Sequence, residues 1–403
     1  MTQAASSHSC DTPDDVRLIA INLPQFHPVP ENDEWWGKGF TEWTNVTKAR
    51  PLFPGHHQPQ LPADLGFYDL RLPEARKAQA DLAKQYGISG FCYYHYWFNG
   101  KRILERPVDE IVRLGEPDFP FCLCWANENW TRTWYDRDRE VLLEQKYSPE
   151  DDREHIRALI PILADPRYIK MDGKPALFIY RADMLPDAAA TARIWRKEVR
   201  EAGLGELFLG AFVTREVDID GWDFDTAVEF VPCPAKQSAH RAPKRLLITL
   251  LGRISARLNG AYEASLHLYD DLIDDRLGAA PPEGTTSDRW LRCVTPSWDN
   301  SARRKKRPLI YLGSTPAKYR DWLRKIIQWS QDHNPPGQRF VFINAWNEWA
   351  EGNHLEPDRR YGHQYLEATR AAMQVAGKPR PGHWGNTNVK KSVSRPVDTR
   401  SKP

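Results

Sequence analysis

The chain alternates short, almost wholly apolar runs with stretches of mixed or helical periodicity. The apolar runs lie at Arg17 to Leu23, Gly90 to Tyr96, Pro120 to Ala126, Pro175 to Arg181, Leu207 to Val213, Thr226 to Val231, Trp290 to Pro296 and Phe340 to Ala345. Runs of this kind predict strands of a sheet covered on both faces. Between them, Pro73 to Tyr86 places Ala75, Ala78, Leu82 and Tyr86 near helical spacing, and Pro186 to Ala202, Pro316 to Gln331 and Tyr361 to Val375 do likewise. Eight strands alternating with helices or long connections predict an α/β fold, a parallel (β/α)8 TIM barrel over residues 17–376.

Polar and aromatic residues gather just beyond the runs. Gln25, Phe26 and His27 follow the first; His95, Trp97 and Asn99 end the second; Asn127, Glu128 and Asn129 end the third. Asp183 lies past the fourth, Glu229 ends the sixth, Trp298 and Asp299 follow the seventh, and Asn347, Glu348 and Glu351 follow the eighth. In a barrel these ends converge on one face, where active sites are built. Trp35 to Leu65 is too long for a plain connection and reads as a wall of that site. Cys233 to Ala280 reads as an inserted basic segment with Lys236, Arg241, Lys244, Arg245, Arg253 and Arg257 and no acid before Glu263; within it, Leu246 to Leu258 fits an amphipathic helix with a cationic face. Residues 1–16 and the tail at 377–403, which has seven Lys or Arg against one Asp and four Pro, are expected to be disordered. No solenoid or propeller repeat is present.

Composition narrows the function. Over 403 residues, 41% hydrophobic and 27% charged, the chain is ordinary for a globular protein, and 56 Lys plus Arg against 54 Asp plus Glu argue against a nucleic-acid binder. The start has no cationic stretch followed by an apolar run, and no segment is long and apolar enough to span a bilayer, so a cytoplasmic location is expected. Cys10, Cys92, Cys122, Cys124, Cys233 and Cys293 are scattered and read as reduced thiols without zinc spacing. The basic segments, including Arg303-Arg304-Lys305-Lys306-Arg307, would either touch anionic lipid at the inner membrane or lie in water, the insertion then forming a lid on the barrel.

The 16 Trp change the picture most. Many stand beside Asn, Glu, His or Gly, as in Trp125-Ala126-Asn127-Glu128-Asn129-Trp130, and flat rings interleaved with hydrogen-bonding groups suit a sugar, although the same rings could fill a large core. The sharpest constellation is Asn344-Ala345-Trp346-Asn347-Glu348-Trp349-Ala350-Glu351-Gly352-Asn353. Two glutamates three apart at a strand end share one side if a helical turn begins there. Neighbouring Trp and Asn then split their acidities, the division of labour that breaking or making an acetal requires. The plain alternative is a solvated helix start.

These residues carry a resemblance. Glu348-Trp349-Ala350-Glu351-Gly352 resembles the acidic signature of glycoside hydrolase family 99, the endo-acting α-mannosidases and α-mannanases, and Leu18 to about Gly377 resembles the WbsX-type, family-99-like proteins of bacterial surface-polysaccharide loci. Further matching stretches are Pro24-Gln25-Phe26-His27-Pro28, Trp35-Trp36-Gly37-Lys38-Gly39-Phe40-Thr41-Glu42-Trp43-Thr44-Asn45, Gly90-Phe91-Cys92-Tyr93-Tyr94-His95-Tyr96-Trp97 and Cys122-Leu123-Cys124-Trp125-Ala126-Asn127-Glu128-Asn129-Trp130. The resemblance implies that Glu348 takes the proton of the sugar's 2-hydroxyl, giving a 1,2-anhydro sugar, and that Glu351 serves as acid on the leaving oxygen and then as base toward water. Ala350 stands where the hydrolases often have His.

Candidate substrate-binding residues are His27, Trp36, Glu42, Tyr94, His95, Trp97, Trp125, Asn127, Glu128, Trp130, Trp298, Trp346 and Asn347. Each has a structural alternative: the His packed in a polar mouth, the acids tied to backbone amides, the rings in the core. Asp136-Arg137-Asp138 fits the two-acid metal pattern of nucleotide-sugar transferases, as do Asp218-Ile219-Asp220 and Asp223-Phe224-Asp225, but the pattern is unspecific, and no phosphate-cradling glycine turn or paired-His spacing appears. The expectation is therefore a glycan-active enzyme without cofactor or metal, acting on an oligosaccharide or polysaccharide. A glycosyltransferase of lipopolysaccharide or capsule assembly and a non-catalytic glycan-binding barrel are the alternatives.

Overall fold

The computed structural model describes residues 15–132, 137–214, 219–232, 264–304 and 306–376, and the isolated helical positions 243, 246, 247 and 250; of 132–140 no side chain is described. Cys10, Cys233, the six insertion cations, the tail and the Asp136 to Asp138 side chains thus lie outside the described residues.

All eight expected strands are present: β1 (Arg17–Asn22), β2 (Gly90–Phe98), β3 (Phe121–Trp125), β4 (Lys174–Ile179), β5 (Phe208–Val213), β6 (Thr226–Glu229), β7 (Trp290–Val294) and β8 (Phe340–Ile343). Each pairs in parallel with the next, except that β8 pairs with β7 on one side and β1 on the other, with Arg17 opposite Phe340 and Ala20 opposite Ile343. The sheet therefore closes, which removes both edges. Phe178 of β4 and Phe212 of β5 meet Phe342 of β8 at ring separations of 5.1 and 5.3 Å. Since β8 neighbours neither strand, these rings fill the barrel interior. Gly210 makes room for them, because a Cβ there would lie 2.5 Å from the Phe178 ring.

Among the described residues, seven helices wrap this sheet: α1 (Pro73–Gln85), α2 (Arg106–Leu114), α3 (Pro149–Leu163), α4 (Ala188–Glu201), α5 (Tyr269–Leu277), α6 (Pro316–His333) and α7 (Gln364–Ala376). Their starts are written in the chain. Ser148, Asp187 and Thr315 accept the backbone N–H of Asp151, Ala190 and Lys318, and prolines stand at the first positions of α3 and α6. α6 buries Tyr319, Trp322, Leu323, Ile326 and Ile327, a stripe at spacings of three and four that faces the wall. Among the described residues no helix joins β5 to β6, and none is long and apolar enough to cross a membrane.

The long first connection is structured. It carries the short helices Pro30–Trp36 and Glu42–Lys48, the second fixed by a Thr41 and Thr44 capping box and by the Trp43 indole donating to the Tyr68 carbonyl at 2.9 Å. Of the insertion, a strand at Ser265–Leu268 pairs with Leu309–Leu312, α5 follows it, and Leu246, Leu247 and Leu250 are exposed.

Candidate functional site

Strand alternation decides which side chains reach the barrel mouth. On β2, Tyr94 and Tyr96 line a cavity of about 420 Å³ at the C-terminal ends of the strands, joined by Tyr180 beyond β4, Phe230 beyond β6 and Trp298 beyond β7. The intervening His95 and Trp97 face the helix layer. There the His95 ring stacks on His155 of α3 with Nε2 atoms 2.9 Å apart, and the Trp97 indole donates to Asp151 at 3.0 Å. Trp125 also lies outside the cavity, packed on His155 and Trp195. Burial drives the pKa of His95 well below its ordinary value and that of His155 down to about 3, so this pair is neutral at neutral pH.

Of the other candidates, Trp36, Glu128, Trp130, Glu348 and Glu351 line the cavity. Glu128 is paired with Arg181 at 2.5 Å, which in turn holds Asp183 through two contacts of 2.8 and 2.9 Å. His27 does not reach the cavity: its Nδ1 donates to the Pro24 carbonyl at 3.0 Å, and burial lowers its pKa to about 4. Asn127 is spent on structure, bonding the backbone of Arg181 on both sides, each at 2.8 Å. Trp346 is fully buried against Phe91. Asn347 stitches β8 to the end of β1, accepting from Leu23 N at 2.7 Å and donating to Leu23 O at 3.0 Å.

Glu348 and Glu351 are presented by a small, tightly held hairpin. Asn347 and Glu348 pair antiparallel with His354 and Asn353, and the turn between them is helical over Trp349–Glu351. Gly352 closes it at φ 57, in the left-handed region, where a Cβ would stand 2.8 Å from Gln60 Nε2 and 2.9 Å from Asp299. Below the hairpin, buried Glu356 accepts from Trp349 at 2.6 Å, Gln79 at 2.7 Å and Tyr68 at 2.9 Å, and burial pushes it up to about 7.

The residue that organises the site is Arg303. Its guanidinium meets Glu351 at 2.7 Å through Nη1, and Glu348 at 3.0 Å and Glu42 at 3.2 Å through Nη2. Glu42 therefore reaches the acid pair through this cation. Arg303 follows the helical turn Asn300–Ala302, capped by Asp299, which is itself held by His56 and Gln58, each at 2.7 Å. Burial opposes the charge of Arg303, yet the three carboxylates keep it protonated far above its ordinary range. Burial likewise pushes Glu348 up to about 8 and raises Glu351, with Arg303 pulling both the other way. The pair consequently holds a proton at neutral pH, as acid–base chemistry needs.

Sequence patterning did not single out Tyr96, Tyr180, Phe230 or Arg303. The alternation that selects Tyr94 also selects Tyr96, a signal that could have been used. Arg303 carried no such signal, since it stands in a run of cations that reads as surface. Among the described residues no cluster of His, Cys, Asp or Glu is arranged to hold a metal. Asp223 and Asp225 both pair with Arg196 at 2.8 Å, at the opposite end of the barrel.

Comparison with known proteins agrees with this architecture. A family model described as "Glycosyltransferase WbsX" matches residues 18–369. The chain is 44% identical over 361 residues to the uncharacterized protein WxcX of Xanthomonas campestris pv. campestris strain B100, covering 89% of this chain and 50% of that protein. It thus spans about half the length of the curated relatives it matches. Among solved structures, a glycoside hydrolase-like protein superposes with a TM-score of 0.53 at 14% identity, covering 89% of this chain and 94% of the other. The GH99 endo-alpha-mannosidase from Bacteroides thetaiotaomicron gives 0.49 at 15%, covering 89% and 96%.

Proposed function

The chain belongs to the family named glycosyltransferase WbsX, and from that premise we propose that it is a glycan-active enzyme using Glu348 and Glu351 on a glycosidic bond of a bacterial surface polysaccharide. The observation that carries this reading is an acid pair, Glu348 buried and Glu351 half-buried, on one shared cation, Arg303, lining an aromatic-walled cavity. A sugar ring laid on Trp36, Trp130 or Trp298 presents its edge to the carboxyls.

In this mechanism ionised Glu348 takes the proton of the 2-hydroxyl, O2 bonds to the anomeric carbon, and the bond to the leaving oxygen breaks as Glu351 delivers its proton there. Water then opens the 1,2-anhydro ring: its proton passes to Glu351, its oxygen bonds to the anomeric carbon, and O2 recovers its proton from Glu348. Arg303 favours the charged form of whichever glutamate is deprotonated, so the proton can reside on either without leaving an unpaired buried charge.

A second reading, transfer of a sugar from a nucleotide donor in lipopolysaccharide or O-antigen assembly, is favoured by the family's description. The deciding experiment incubates the protein with the source bacterium's polysaccharide and lipid-linked intermediate, with and without nucleotide sugars, and follows chain length. Shortening without nucleotide supports the hydrolytic reading, growth that depends on nucleotide sugar replaces it with transfer, and binding without any change leaves a non-catalytic glycan-binding barrel. Location belongs to the same proposal: a cytoplasmic protein whose exposed Leu246, Leu247 and Leu250, set among the insertion's cations, contact anionic lipid at the inner membrane.

A further inference from the structure

A second cavity, of about 330 Å³, lies on the other side of Trp298 from the acid pair, and Trp298 lines both. Its walls come from the first long connection (His56, His57, Gln60), the segment around Tyr311, and the stretch after the glutamate hairpin (His354, Asp358, Arg360, Tyr361, Tyr365). We propose that this cavity is a second glycan subsite, binding a neutral sugar residue beyond the linkage at which Glu348 and Glu351 act; this rests on the glycan-active reading.

The chemistry of the walls selects the ligand. Trp298, Tyr311, Tyr361 and Tyr365 supply ring faces, and Gln60, His57 and the Arg360 guanidinium, 5.0 Å over the Tyr361 ring, supply polar edges. That combination matches a pyranose, with its apolar CH face and rim of hydroxyls. Two carboxylates, Asp299 and Asp358, disfavour a phosphate or nucleotide. They do not make a cation site either, since Asp299 is taken by His56 and Gln58, and Asp358 by His354 at 3.2 Å and by the N–H groups of Arg360 and Tyr361 at 2.8 and 2.5 Å. The volume is at the lower end of the ~300–1,000 Å³ of small-ligand sites, room for a short piece of glycan.

The cavity is also joined to the acid pair. His354 lines it, stacks on Trp349 at 3.7 Å between centroids, and has a buried Nδ1 with no hydrogen-bond partner among the described residues. Trp349 stands between the two glutamates in the chain. A sugar seated here therefore rests against the element that presents them.

The test is saturation-transfer NMR on the full chain with free D-mannose, D-glucose, D-galactose, L-rhamnose, L-fucose and N-acetylglucosamine as probes. At least one is expected to give a signal that is lost in Tyr361→Ala, weakened in Arg360→Ala, whose side chain is exposed, and kept in Tyr361→Phe and in Trp130→Ala, which alters only the first cavity. Signals lost in Trp130→Ala and untouched by Tyr361→Ala overturn the second subsite while leaving the proposed function standing. No signal from any of the six also overturns it, and the chain-length assay then judges the function separately. Thermal unfolding of each variant separates loss of binding from loss of fold.

Discussion

The two faces of one strand end, Tyr94 and Tyr96 against His95 and Trp97, carry similar chemistry and opposite duties. Both sets are buried aromatic and polar side chains from β2. The inward pair walls a cavity above two glutamates and an arginine, whereas the outward pair locks α3 to the barrel through His155 and Asp151. Position relative to the barrel axis separates a cavity wall from a structural joint; residue type does not.

The largest effect expected from breaking this contrast is on the inner face. Glu348→Gln or Glu351→Gln should lower the rate of glycan chain-length change by ~10²–10⁴ while glycan binding persists. Full activity in both variants would remove the acid pair from the mechanism. Arg303→Met leaves three carboxylates, those of Glu42 and Glu348 buried, without their cation and should cost about 3–5 kcal/mol in urea unfolding. Any activity that survives should move its acid limb to higher pH, because Arg303 is what pulls Glu348 down.

On the outer face, Trp97→Ala should cost a comparable ~3–5 kcal/mol of stability. Turnover per folded molecule should stay at the wild-type level, and a selective loss of turnover would give Trp97 a part in binding after all.

The faces should also respond to pH in opposite directions. His155 has a folded value of about 3 against an ordinary 6.5, so its contribution is complete above 6.5 and is lost as pH falls toward 3. Glu348, raised from 4.5 to about 8, contributes fully below 4.5 and loses that contribution as pH rises through about 8. Urea midpoints across pH should therefore fall on both sides of a maximum. Glu348→Gln should flatten only the alkaline side, and a Gln variant that also flattened the acid side would contradict the assignment. As the proposed base, Glu348 should also set the acid limb of kcat/KM near 8.

The smallest effect expected lies furthest from both faces. The protein should sediment with anionic liposomes at low salt and release them at high salt, and deleting residues 243–259 should abolish the binding. Absence of binding at low salt would leave the exposed leucines without that role.

These contrasts also explain what was legible in the chain. The strands read clearly because continuous apolar runs are needed where both faces of a sheet are covered, and β1 through β8 lie within or close to the expected limits. Glu348 and Glu351 stood out because two acids among tryptophans at a strand end have few uses. His95, Trp97, Trp125 and Asn127 share that signature without sharing the cavity, since proximity to a strand end does not fix which way a side chain points. Arg303 was hidden for another reason: its burial is created by Glu42, Glu348 and Glu351, brought together from segments some three hundred residues apart.

Gly352 has a bearing on how such a site diversifies. With no room for a Cβ between Gln60 and Asp299, it clamps the first, seventh and eighth connections into one unit. Change on that side must be concerted, because a longer turn in any one of the three displaces the other two and the glutamates with them. Among the described residues, the connections that bear Trp130 and Tyr180 have no such clamp on the hairpin, so that half of the mouth is where the cavity can change shape by independent steps.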